Sequence, residues 1–95
     1  MKVTLQNAVE RNAEYPESFQ IPTQEERAGV QPGAFAKCMF TDGKYTERMW
    51  IKVVRRNDDG TYAGELNNDP ARLALKCGHA LTFGPEHIID LWEPV

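Results

Sequence analysis

Two adjacent segments of the chain have the alternation of a β-hairpin. The first covers residues 47–56 and the second residues 61–66, and residues 57–60 between them, Asn-Asp-Asp-Gly, have the composition of a turn. Successive side chains of a strand point to opposite faces, so every second residue of the first segment shares a face. We expect the apolar face to pack in the core. Its residues are Met49, Ile51 and Val53.

The other face of the same strand combines a tryptophan with basic residues. Arg48, Trp50 and Lys52 alternate with the core residues, Arg56 is expected to continue their face, and Tyr45 flanks the hairpin. Aromatic rings supply flat apolar area to a ligand, and neighbouring bases position an anionic or peptide partner. These five side chains are therefore the candidate ligand-binding residues.

Trp50 also has a structural interpretation. Residues 15–22 contain two prolines, which forbid a regular helix and favour an extended strap with Phe19 and Ile21 on one side. If either residue packs on Trp50, the tryptophan is covered and the bases only solubilise the rim. The sequence favours this interpretation slightly, because a strap of this length must cover something.

Turn signals divide residues 34–95 into short strands. Closing such a set into a barrel removes the unpaired edges that an open meander would leave. We therefore expect a mainly β fold with a minor α+β character: a small SH3-like five-stranded barrel, or a strongly bent antiparallel sheet. The predicted strands are 34–41, 47–56, 61–66, 79–83 and 88–92, with a brief helical turn after Pro70.

Residues 1–33 are expected to form an N-terminal strap that packs on the barrel without joining the sheet, so that the whole chain is a single folding unit. A short helix is predicted near residues 5–14 from apolar spacing. Thr23 and Glu26 form a capping-box pattern that starts a second short helix. Gly29 is expected to end it in a left-handed conformation, and residues 32–33, Pro-Gly, suit a type II turn.

Charge is unevenly distributed along the chain. The net charge is −3, but residues 34–56 carry six bases and two acids. Nucleic-acid binding by the basic hairpin, residues 44–56, is therefore an alternative function. The overall acidity disfavours it, because such binding needs several phosphate contacts on one surface.

The composition indicates an ordinary globular domain, and we expect a place in the cytoplasm with no membrane partner. The start of the chain lacks the apolar run of a signal peptide, and no later segment is long and apolar enough to span a bilayer. Two cysteines, Cys38 and Cys77, are too few for a disulfide scaffold, so we expect both to be reduced and half-buried.

Catalysis and metal binding have weak sequence support. Cys38, Cys77, His79 and His87 are of the right types for tetrahedral zinc, but their spacing does not fit a zinc motif. A cysteine nucleophile at Cys77 beside either histidine, with Asp90 to orient it, is a less favoured alternative. We therefore expect no catalytic residue, no metal and no cofactor.

Several elements of the chain resemble one bacterial family, the one catalogued as domain of unknown function 2314. The resemblance covers roughly residues 15–92, and the chain departs from the family pattern at His79, where an acidic residue is expected. It implies a compact β domain and carries no catalytic residue. The elements are Phe19-Gln20-Ile21-Pro22, Pro32-Gly33, Glu47-Arg48-Met49-Trp50-Ile51-Lys52-Val53, Gly64-Glu65-Leu66-Asn67-Asn68-Asp69-Pro70, Cys77-Gly78 and Glu86-His87-Ile88.

The function that the sequence favours is recognition rather than catalysis. We expect a noncatalytic module that binds a protein or peptide partner through the face around Arg48, Trp50 and Lys52. The nucleic-acid-binding barrel is the first alternative, and a small cysteine-dependent enzyme is the second.

Overall fold

The computed structural model describes residues 2–94 as one curled antiparallel sheet with short helical segments. The helical segments are α1 (Ala8–Glu14), α2 (Gln24–Ala28) and a 3-10 turn (Pro85–His87). The strands are β1 (Thr4–Leu5), β2 (Phe35–Thr41), β3 (Thr46–Arg56), β4 (Tyr62–Leu66), β5 (Ala80–Phe83) and β6 (Ile88–Trp92).

The sheet curls into a half-barrel. Strands β1 to β5 are hydrogen-bonded to one another in chain order. Strand β6 pairs with the first half of β2, and β1 pairs with the end of β2 on the same edge. The predicted mainly β, barrel-like fold with minor helices is confirmed. The sheet has six strands rather than five, and within residues 2–94 no strand pairs with the outer edge of β5.

The core lies on the concave side of the sheet. Met49, Ile51 and Val53 are 3%, 0% and 0% exposed, which confirms the predicted core face of β3. Burial of these aliphatic side chains is the main favourable term in the folding of a chain of this size. The buried cluster is completed by Val30, Ala34, Ala36, Cys38, Phe40, Tyr62, Leu66, Leu73, Phe83 and Ile88.

A β-bulge ends the regular alternation of β3. Val53 pairs with Gly64, but the next pairing joins Arg55 to Ala63, so Val54 is the extra residue. Beyond the bulge Arg56 lies opposite the buried Tyr62. The bulge therefore removes Arg56 from the face that Trp50 shares.

Gly64 is required where β3 and β4 approach closely, as its position inside a strand predicts. A Cβ at this residue would lie 2.5 Å from Ile51 Cγ2 and 2.8 Å from the Lys52 carbonyl oxygen. No larger residue fits there without moving β3.

The N-terminal segment differs from its prediction at its beginning. Thr4 and Leu5 pair with Thr41 and Phe40, so the expectation that residues 1–33 stay outside the sheet is wrong. Helix α1 starts at Ala8 rather than near residue 5, because the preceding residues are extended and the Asn7 side chain accepts from Glu10 N–H at 2.9 Å.

The second helix is close to its prediction. Thr23 and Glu26 form both hydrogen bonds of the capping box, at 2.9 and 3.2 Å. Gly29 has φ −106°, so the predicted left-handed helix end is wrong. Gly33 has φ +96° in a turn closed by Ala34 N–H and the Gln31 carbonyl, as a type II turn requires.

The strap is fastened to the sheet by the buried Tyr62. Its hydroxyl donates to the Arg27 carbonyl at 2.6 Å and accepts from Val30 N–H at 3.2 Å. The Arg27 guanidinium, itself buried, donates to the carbonyls of Pro22 and Pro85. The bonds of Arg27 tie α2 to the extended residues before it and to the 3-10 turn.

Candidate ligand-binding face

The convex side of the sheet carries a row of aromatic and basic residues across β6, β2 and β3. Phe35 lies between Lys52 and Trp92 in the strand register, and Lys37 lies between Trp50 and Asp90. Directly paired residues point to the same side of a sheet, so these six side chains share one surface. We call the part formed by Phe35, Lys37, Trp50, Lys52 and Trp92 the aromatic face.

The aromatic face contains a groove rather than a flat patch. Phe35, Trp50, Asn67 and Trp92 line a cavity of about 320 Å³. The rings of Phe35 and Trp92 stack with their centroids 5.4 Å apart and their planes 13° apart. Trp92 is 55% exposed, an unusual position for the side chain that buries most apolar area when it is covered.

Trp50 lines the groove and is half-buried. The Lys37 ammonium lies 5.4 Å from the centroid of its ring, within the range of a cation–π contact. The backbone of Trp50 is bound by the loop after β4: its N–H donates to Asn68 Oδ1 and its carbonyl accepts from Asn67 N–H at 2.8 Å. The two asparagines therefore hold the main chain of Trp50 in position, and Asn67 itself lines the groove.

The loop after β4 is organised by a single carboxylate. Glu47 accepts from the N–H groups of Ala71, Arg72 and Leu73 at 2.7, 3.0 and 2.9 Å. These bonds, that from Ala71 most strongly, hold the pKa of Glu47 below its usual value of 4.5. The helical turn predicted after Pro70 is wrong, since these residues form an irregular loop. The N–H groups of this loop donate to Glu47 instead of to one another.

The structure brings together three of the five predicted binding residues and separates the other two. Arg48, Trp50 and Lys52 share the convex side of β3, as predicted. Tyr45 packs against the core cluster on the concave side, where the Arg72 guanidinium covers its ring at 4.8 Å.

Arg56 is the second residue that lies away from the face. Its guanidinium donates to the Ala28 carbonyl at the end of α2, at 3.2 Å. The prediction for Arg56 assumed that side chains alternate along the whole of β3, but the bulge at Val54 interrupts this alternation. Neither Tyr45 nor Arg56 therefore contributes to the groove.

Phe19 of the strap lies close to Arg48. Phe19 lies 5.7 Å from the Arg48 guanidinium and 5.7 Å from that of Arg11, and its carbonyl accepts from the Asn12 side chain at 2.7 Å. Ile21 lies beside β6. Neither Phe19 nor Ile21 is among the residues that line the groove at Trp50.

Four residues were absent from the candidates predicted from the sequence: Phe35, Asn67 and Trp92, which line the groove, and Lys37 beside it. Alternation along β2 would have placed Phe35 and Lys37 opposite the buried Ala36 and Cys38. The pairing of β6 with β2 brings Trp92 to them, and a pairing between strands distant in the chain has no local sequence signal.

The two thiols lie in different surroundings, whereas His79 and His87 both line one cleft beside β1 and β5. Cys38 is fully buried, and burial raises the pKa of its thiol, whereas Cys77 is exposed, so the expectation that both are half-buried is wrong. The His87 Nδ1 accepts from Gly84 N–H at 3.0 Å. Among residues 2–94 no three His, Cys, Asp or Glu side chains are grouped as metal ligands.

The helices found between residues 2 and 94 are all too short or too polar to cross a membrane. Comparison with family models, with curated proteins and with solved structures found no match to this chain.

Proposed function

We propose that the chain is a noncatalytic interaction module that recognises a peptide segment of a partner protein with the aromatic face. One observation carries the proposal: three aromatic rings and Asn67 line a single groove on the side of the sheet opposite the core. Such rings contribute nothing to the concave core cluster, so their convergence calls for a ligand that covers them.

The chemistry of the groove favours a short segment with an apolar or proline side chain and an acidic neighbour. The edges of Trp50 and Trp92 offer apolar area with little conformational entropy to lose, and Asn67 offers an amide for a main-chain hydrogen bond. Lys37 pairs with Trp50 and Lys52 pairs with Phe35, so both ammonium groups can reach a carboxylate of the segment, in competition with their acidic neighbours Asp90 and Glu65. Proline-rich segments use aromatic-lined grooves in this way because their extended form is already ordered.

Selection from a displayed library of random peptides tests this proposal. The wild-type chain is expected to enrich a peptide class that Trp92→Ala no longer captures. Tyr15→Ala is the matched control, because Tyr15 is another exposed aromatic residue, at 51%, outside the groove. Enrichment of the same peptides by Trp92→Ala and by the wild type would contradict the proposal.

The alternative is a single-stranded nucleic-acid-binding module. The structure adds Lys37 to Arg48 and Lys52 beside Trp50, which increases the local basic charge and provides a stacking ring. Asp90 and Glu65 pair with Lys37 and Lys52 in the register and reduce that charge. Steeply salt-dependent binding of labelled oligothymidine would support this alternative, and no binding at low salt would remove it.

Other expectations from the sequence are retained as proposals. We propose membership of the family called domain of unknown function 2314 and a place in the bacterial cytoplasm. The enzyme centred on Cys77 has less support than either binding function: Cys77 is exposed, and the Nδ1 of His87 accepts from the Gly84 main chain rather than from a thiol.

A further inference from the structure

The half-barrel leaves an open seam between its first and fifth strands. Within residues 2–94, β1 pairs only with β2 and β5 pairs only with β4. A cleft of about 260 Å³ lies between the two strands. Its lining is apolar at Val3, Leu5, Phe40, Leu75 and Leu81 and polar at Thr4, His79, Thr82 and His87.

Strand β1 turns main-chain groups toward this cleft. In an antiparallel ladder, residues that hydrogen-bond to the neighbouring strand alternate with residues whose N–H and C=O point to the opposite edge. Gln6 N–H donates to the Met39 carbonyl at 2.9 Å, so Gln6 and, two residues earlier, Thr4 face β2. The N–H and C=O of Val3 and Leu5 therefore point away from β2.

Strand β5 does the same from the other side. Leu66 N–H donates to the His79 carbonyl at 2.9 Å, which sets the alternation along β5. The N–H and C=O of Ala80 and Thr82 consequently point away from β4. Within residues 2–94 no strand pairs with either of these two edges, so a largely apolar cleft lies between main-chain donors and acceptors, which is the arrangement that accepts an added strand.

Two exposed lysines lie next in the chain to residues that line the cleft. Lys2 precedes Val3 and Lys76 follows Leu75, and both lysines are exposed. The Glu86 carboxylate lies against Gly84, beside the 3-10 turn. In a chain of net charge −3, two lysines next to the lining favour a partner that carries carboxylates there.

We propose that the seam binds an extended segment of a partner protein, with alternating apolar and acidic residues, as an added strand between β1 and β5. Its main chain hydrogen-bonds to Leu5 and Thr82, its apolar side chains lie on Phe40 and Leu81, and its carboxylates lie near the lysines. This surface is separate from the aromatic face, so either proposal can fail alone.

A set of acetylated, amidated heptapeptides tests the proposal, with Glu at alternate positions and Val, Ile, Leu or Phe between them. NMR is used to follow the amide signals and amide hydrogen exchange of the full chain at millimolar peptide. We expect at least one peptide to slow exchange at Leu5 and Thr82 by about tenfold or more, because both amides gain a partner. The same peptide N-methylated at alternate residues is expected to have no effect.

Substitution at Thr82 provides the matched variants. Thr82→Pro removes the outward N–H, and proline is tolerated on an edge strand where the N–H faces solvent. Thr82→Ala keeps the N–H and is expected to bind like the wild type. Loss of binding in Thr82→Pro alone supports the proposal, and the N-methylated peptide gives the same test without a protein variant.

Three results would overturn the proposal. The first is that no peptide of the set changes the spectrum at millimolar concentration. The second is equal binding of the N-methylated and unmodified peptides. The third is a set of changes confined to Trp50 and Trp92, which would support the aromatic face and assign nothing to the seam.

Discussion

The aromatic face and the open seam lie on the same small sheet but present opposite kinds of chemistry. At the aromatic face β2 and β3 are paired on both sides, so their main chains are occupied and these two strands offer side chains to a ligand. At the seam the side chains are mostly apolar and the main chain is available. The face can therefore discriminate between sequences, whereas the seam accepts any segment of suitable conformation and pattern.

The largest expected effect comes from the core that supports both regions. Ile51→Ala should lower the free energy of unfolding by about 2–5 kcal/mol, because the side chain is fully buried between the two surfaces. Urea denaturation measures the loss, with Ile51→Val expected to cost about 0.5–1.5 kcal/mol. A loss below that of the valine control would show that the concave cluster is not the shared support.

A substitution at Tyr62 should weaken the attachment of the strap to the sheet, with a smaller loss of unfolding free energy. Tyr62→Phe removes the hydroxyl that bridges Arg27 and Val30, and we expect a loss of about 1–3 kcal/mol from the buried groups left unpaired. Amide exchange near α2 should increase while the Trp50 indole signal keeps its position. If the Trp50 signal shifts as much as those of α2, the strap and the aromatic face are not independent.

The face itself should contribute little to stability. Trp92→Ala removes a stacked ring that is more than half exposed, so we expect a loss of about 0.5–1.5 kcal/mol in unfolding free energy. Peptide capture by the face should be abolished, while binding of heptapeptides at the seam stays at the wild-type level. Loss of both activities together would mean that one site, not two, accounts for recognition.

Low pH should destabilise the loop after β4, which holds the main chain of Trp50 in position. The pKa of Glu47 is lowered in the folded chain, so its carboxylate adds stability that is complete above its ordinary value of 4.5 and is lost as the pH falls through the lower folded value. We expect the urea midpoint of the wild type to fall between pH 6 and about pH 3 more steeply than that of Glu47→Gln. Parallel curves for the two proteins would show that Glu47 does not organise the loop.

The sequence predicted the parts of the fold that depend on local patterns. Alternation in β3 identified Met49, Ile51 and Val53 as core, and the capping box located α2 within one turn. It could not reveal that Thr4 and Leu5 join the sheet, because two residues are too few for a periodic signal. The open seam was missed for the same reason, since it depends on which strands pair rather than on how each strand is patterned.

The site was half predictable for a related physical reason. Trp50 and its two basic neighbours followed from alternation, but Arg56 was assigned to the same face by extending that alternation through a bulge at Val54. Phe35 and Trp92 meet only because β6 pairs with β2 across the length of the chain. Residues brought together by long-range register cannot be grouped by local spacing.

The central claim is that the groove of Phe35, Trp50 and Trp92 is the recognition site. Its most direct test is an NMR titration of the chain with a peptide enriched by the wild type, in which the two indole N–H signals are followed. We expect the signals of Trp50 and Trp92 to move together with the Asn67 amide as the peptide saturates. Saturation with both indole signals unmoved and other parts of the sheet perturbed would contradict the claim.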